Sequence, residues 1–194
     1  MLQDIARNIL DSYIAPRRAA QRVLNMMDGY TEVVGVFALS YALTSICAII
    51  LSWILPTPED GVSFLTAPLT LADAITGFVA TGAMLAVFSF IIFGVGRVFG
   101  GEADLKSVLT VVSWHSLVTF FIMPLALLSS IGGALAPLSL IAFALALVGF
   151  WMFASFIAEA HKFQSTLSVV GGIIGVLIAG SLIFGLLAGA LVGA

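Results

Sequence analysis

Charge is what this sequence has least of: Asp, Glu, Lys and Arg make up 9% of its 194 residues, against about 25% in an ordinary soluble domain. That scarcity excludes a chain whose main solvent is water. Cysteine is almost absent, and the single Cys47, inside an apolar run, excludes an intrachain disulfide and reads as a small packing residue. A cleaved signal peptide is excluded because Asp4, Arg7, Asp11, Arg17 and Arg18 interrupt any apolar core at the start. There is no nucleophile triad, no phosphate-cradling glycine loop and no zinc spacing. No enzymatic activity, cofactor, metal or nucleic-acid partner is therefore expected.

What is present is hydrophobic: 61% of residues, with a mean hydropathy of +1.21. The apolar residues fall into runs long enough to cross a hydrocarbon core of about 30 Å, which takes about 20 helical residues. The expected fold is all-α and polytopic, with an amphipathic leader at 1–32 and a five-helix transmembrane domain at 33–194. Its spans read approximately 33–55, 71–97, 105–131, 135–160 and 167–193. Gly132-Gly133 reads as a hairpin between the third and fourth spans, and Pro124 as a kink in the third.

In the leader, Leu2, Ile5, Ile9, Leu10 and Ile14 recur at helical spacing, and Pro16 suits the first position of a second short helix. Ala20, Val23, Leu24 and Met27 form the apolar face of that helix, and Arg17, Arg18 and Arg22 its charged face. Helices of this kind lie in the headgroup plane or pack on the ends of spans, and the two readings are compatible.

Every cation falls on one side of the expected bundle. Arg7, Arg17, Arg18 and Arg22 precede the first span, Arg97 and Lys106 flank the corner between the second and third, and Lys162 lies between the fourth and fifth. The positive-inside rule then makes the N-terminus cytoplasmic and puts the C-terminus on the far side. An internal repeat is suggested by Leu105–Val112 and Phe163–Val170, which both follow a cytosolic corner.

Polar residues that could carry chemistry form two groups. His115 lies about 15 Å along the third span if that helix starts near Leu105, so it is a candidate intramembrane functional residue. It serves there as a proton-transfer, ligand-binding or titrating group, or as a neutral core histidine satisfied by Ser113, Ser116, Thr110 or Thr119. The second group is a candidate cytosolic interaction face: Arg17, Arg18, Arg22, Arg97, Glu102, Asp104, Lys106, Glu159, His161 and Lys162. An ion pair between Arg97 and Glu159 is expected to tie the second span to the fourth. In the fifth span Gly171 and Gly175, then Gly185, Gly189 and Gly193, form small-residue ridges for helix packing within the bundle or in a homodimer.

Gly100-Gly101, a polar link with Lys106, an apolar helix centred on Trp114-His115 and a later Pro124 resemble the core of the Yip domain, named for Ypt/Rab-interacting proteins. Pro16 with its basic helix, and Ala160-His161-Lys162-Phe163-Gln164-Ser165, are similar to other recurrent segments of that family, particularly in its bacterial members. Where the family commonly shows a tyrosine and a proline in the third span, this chain has Trp114-His115 and only Pro124. The resemblance implies a non-enzymatic protein of the bacterial inner membrane with a membrane-organising, trafficking-type adaptor or scaffold role. Its partners would be membrane lipids, another membrane complex or a second copy of itself. A small channel or transporter with a midplane histidine is the alternative.

The orientation has a direct check. Alkaline phosphatase fused at the C-terminus is expected to be active and green fluorescent protein there dark, and the opposite pattern contradicts five crossings.

Overall fold

The computed structural model describes residues 2–54, 70–122 and 138–192. They form α1 (Leu2–Ile14), α2 (Pro16–Met26), α3 (Tyr30–Ile54), α4 (Leu71–Val98), α5 (Leu105–Thr119), α6 (Leu138–Ala160) and α7 (Thr166–Val192). Pro124, the Gly132-Gly133 hairpin, the 56–68 loop and Gly193 lie outside the described residues. Among the described residues, three stretches are long and apolar enough to cross a membrane: Tyr30–Ile50, Leu71–Val98 and Ser139–Ala160. α5 has 15 residues, about 22 Å at 1.5 Å each, less than the hydrocarbon thickness.

α5 is the hub. Eight of its 15 residues are buried, including Val108, Val111, Trp114 and Val118, and it packs against α2, α3, α4 and α6. α4 is the opposite case, with only Ser89 and Gly96 buried and Val79, Met84 and Phe90 facing outward. A helix that is apolar all round and uncovered by protein matches a lipid-facing position.

The leader does not lie flat on the end of the bundle. Ala19, Ala20 and Val23 of α2 are fully buried, and Ser12 of α1, also fully buried, accepts a 3.1 Å hydrogen bond from the Trp114 indole N–H. The Tyr13 hydroxyl donates to the Val118 carbonyl at 2.7 Å. Trp114 and Val118 are about 14 and 20 Å along α5 from Leu105, so the leader clads that helix well beyond its first turn. Within the leader, Arg22 bonds Asp11 and Asn8 and holds α1 to α2. The outer side of α1 leaves Leu10 and Ile14 exposed.

Two corners join the long helices, and both are built alike. α4 ends in a Schellman motif: Gly101 N–H donates to Gly96 O at 2.8 Å, Gly100 N–H donates to Arg97 O at 3.0 Å, and Gly100 is left-handed at φ +83°. α6 ends the same way, with Phe163 N–H to Ala158 O at 2.8 Å, Lys162 N–H to Glu159 O at 3.1 Å, and Lys162 at φ +58°. A polar side chain then caps each following helix: Asp104 accepts from Ser107 N–H at 2.7 Å, and Ser165 accepts from Ser168 N–H at 3.4 Å. The two corners thus pair Gly100 with Lys162 and Asp104 with Ser165. The letter match of Leu105–Val112 with Phe163–Val170 is out of step with this geometry, because α5 starts at Leu105 but α7 starts only at Thr166.

Docking of the leader predicts specific costs. Ser12→Ala, which strands the buried Trp114 N–H, and Tyr13→Phe are each expected to lower stability by about 1 kcal/mol, and Trp114→Ala by about 3–5 kcal/mol, in unfolding measured in micelles. Leu10→Ala on the exposed side is expected to change it by less than about 0.5 kcal/mol.

Candidate functional site

The polar chemistry gathers where the two corners meet, and His161 is at its centre. The residue caps α6 and is 1% exposed. Its ring lies in a slot that exists because two glycines lack side chains. A Cβ on Gly96 would overlap the His161 Nε2, and one on Gly101 would come within 2.5 Å of Cδ2. On its other side the ring stacks on Phe163, with centroids 5.4 Å apart and planes at 6°. Nδ1 lies 3.1 Å from Ile157 O, and the His161 carbonyl accepts from Glu102 N–H at 3.1 Å. Nε2 faces the Phe93 carbonyl without a partner at hydrogen-bonding geometry among the described residues. Burial, with Arg97 nearby, holds this imidazole below its ordinary pKa. His161 is therefore an internal wedge between α4 and α6, a correction to its expected place on an outward face. The spacing of Gly96 and Gly100-Gly101 around the turn is the sequence signal for this slot.

The charged residues divide into two sets. Arg17 is a clamp: Nε pairs with Glu159 at 3.1 Å, while Nη1 and Nη2 donate to the carbonyls of Gln164 and Phe163 at 2.9 and 2.7 Å. The partner of Glu159 is thus Arg17 and not the expected Arg97, because the leader inserts beside α6. Lys106 donates to Asp28 O at 3.0 Å and ties the start of α5 to the end of the leader. Arg22 is held by Asp11, and Asp104 is an N-cap whose carboxyl is kept below the usual range by its hydrogen bonds to Ser107 and by Lys106. Arg18 and Arg97 are exposed, the latter with its guanidinium 6.0 Å from the Phe93 ring. Lys162 pairs with Glu102 at 3.3 Å, but both side chains are about 70% exposed (72% and 68%), so the pair contributes little.

His115 is half-buried on α5. Its Nε2 is 3.3 Å from Gly149 O on α6, and its ring centroid is 4.8 Å from that of Phe153. The hydroxyls of Ser116 and Thr119 turn back to carbonyls of their own helix. The partner of this histidine accordingly comes from another helix, not from the neighbouring hydroxyls that the sequence offered. With Thr119 and residues of α6 it lines a cavity of about 320 Å³. A Cβ at Gly171 or Gly175 would meet nothing within 4 Å among the described residues, and Gly185 and Gly189 lie within α7. No group of three metal-binding side chains gathers among the described residues.

The Yip1 domain model matches residues 10–189. No curated protein and no solved structure matches the chain.

The wedge yields two expectations. Gly96→Ala should cost about 1–3 kcal/mol through overpacking, and His161→Ala should relieve part of that cost, giving non-additivity in a double-mutant cycle. The fold favours neutral His161, so an opened corner binds more protons below about pH 6.5. Corner stability should then be full above that pH and fall as pH drops beneath it. Hydrogen exchange of the Gly101 and Glu102 amides reads this directly, and a pH-independent rate ratio to the buried α5 amides contradicts it.

Proposed function

This chain belongs to the Yip1 domain family, and on that premise we propose that it is a non-enzymatic membrane scaffold whose cytosolic corner face binds lipid headgroups or another membrane complex. In this reading five spans, counting α5 and α7, place the N-terminus in the cytoplasm of a bacterial inner membrane and the C-terminus on the far side. The observation that carries the proposal is the division of the cations. Arg17 and Lys106 are consumed in holding the leader to the bundle and Arg22 in holding α1 to α2, while Arg18, Arg97 and Lys162 are outward on the corner side with Glu102. Surface arginines and lysines at this level each add about 1 kcal/mol of attraction to anionic lipid.

The alternative, a small channel or transporter, draws support from the cavity beside His115. Apart from His115 and Thr119 its described wall residues are apolar or glycine, which favours the scaffold reading over an ion path. Gly171, Gly175, Gly185, Gly189 and Gly193 remain a candidate homodimer seam.

Crosslinking in native membranes separates the readings. The triple variant of Arg18→Gln, Arg97→Gln and Lys162→Asn is expected to lose its partner crosslinks or anionic-vesicle binding at unchanged stability, and His115→Ala to keep them. Retained association in the triple variant, or loss of solute flux in His115→Ala liposomes, contradicts the scaffold reading.

A further inference from the structure

α4 and α7 stand apart with α6 as the floor between them, and the space encloses about 420 Å³. Its walls include Phe88, Ile92 and Gly96 of α4, Ile157 of α6, and Gly172 and Leu177 of α7. From Phe88 to Phe99 the α4 wall is about 16 Å long. Ser168 is the only polar side chain among the described wall residues, and it sits at the corner end beside Phe99 and Phe163. The rim around that end is charged. Arg17 pairs with Glu159 and Lys162 with Glu102, and the exposed Arg97 leaves one positive charge in excess among these five. Lys162 is 72% exposed and its ion-pair partner among the described residues is a solvent-open carboxylate.

A slot that is apolar along its length and cationic at one end has the polarity of an amphiphile with a negative head. The slot opens among exposed apolar residues of α4 and α7, such as Ile91 and Leu177, so hydrocarbon from the bilayer is the medium that reaches it. We propose that this groove holds one acyl chain of an anionic phospholipid from the cytosolic leaflet, with the phosphate drawn to Lys162 in competition with Glu102. The proposal shares the cytosolic leaflet with the scaffold reading but rests on the groove, not on Arg18.

The structure supplies its own plug. A Cβ at Gly172 meets nothing within 4 Å, so Gly172→Phe can fill the groove without displacing backbone, and Gly171→Phe, off the groove and equally open, is the control. Lys162→Asn removes the charge with a residue that tolerates the left-handed backbone. The full chain, purified and delipidated, is titrated with phosphatidylglycerol or phosphatidylcholine in mild detergent and bound lipids are counted by native mass spectrometry. Wild type and Gly171→Phe should retain one phosphatidylglycerol, preferred about fivefold over phosphatidylcholine. Gly172→Phe should lose it, and Lys162→Asn should keep a lipid without the preference. Equal retention by both phenylalanine variants, or no headgroup preference in wild type, overturns the proposal. So does a Gly172→Phe effect on dimer fraction with no change in lipid count, which assigns the groove to a second copy. Partner crosslinks lost only with Arg18→Gln test the scaffold reading separately.

Discussion

The seating of His161 between Gly96 and Gly101 is the contact on which the arrangement of the helices depends. One residue joins the two corners twice, through its ring in the glycine slot and through its carbonyl on the Glu102 amide. The Phe163 and Gln164 carbonyls of the second corner are taken by Arg17, so leader, first corner and second corner close into one block. A buried imidazole with an unpartnered nitrogen carries a desolvation cost. That cost is offset by tight stacking on Phe163 and by the freedom from side-chain overlap that only glycine provides at both slot positions. α4 meets α6 at this end through the His161 ring and further along through the stacked Phe88 and Phe153, and the groove lies between α4 and α7 beside that contact.

The second organising feature is the cladding of α5. A helix with Thr110, Ser113 and Ser116 among its 15 residues is a poor lipid-facing element, and the fold surrounds it with protein on most sides. The leader does part of this work, and three of its charges are bound accordingly: Asp11 and Arg22 neutralise each other beside Asn8, and Arg17 meets Glu159. His115 follows the same logic. Its surroundings are Gly149, Phe153 and Phe156 of α6, so its distance along α5 is measured through a protein interior.

The two corners are chemically different and geometrically equivalent. A glycine takes the left-handed position in one and Lys162 takes it in the other, a conformation that disfavours a side chain. Lys162 is also exposed with a weak ion pair, so the left-handed position and an outward charge coincide next to Phe163, which lines the groove. The repeated letters at Leu105 and Phe163 pointed to two similar hairpin entries, but their register is offset from that of the helix caps. The Schellman bonds and N-caps define the true correspondence.

Helix positions were legible because they depend on local properties. Uncharged runs about 20 residues long and Pro16 at a first turn marked where α2, α3, α4, α6 and α7 run, whereas the third span, read as 105–131, has its helix α5 ending at Thr119. The cation count could be read without knowing any contact. The partner of each polar residue was not legible. Arg17 meets Glu159, Ser12 meets Trp114, and His161 fills the space left by Gly96 and Gly101, over separations of 142, 102 and about 60 residues. Such pairings follow from which helix ends are brought together and how closely their backbones approach. The sequence by itself determined an all-helical, hydrophobic chain with its polar chemistry at two turns. Only the tertiary structure decided which charges are structural and which are free, because burial and neighbour identity are properties of the packed bundle and not of any segment within it.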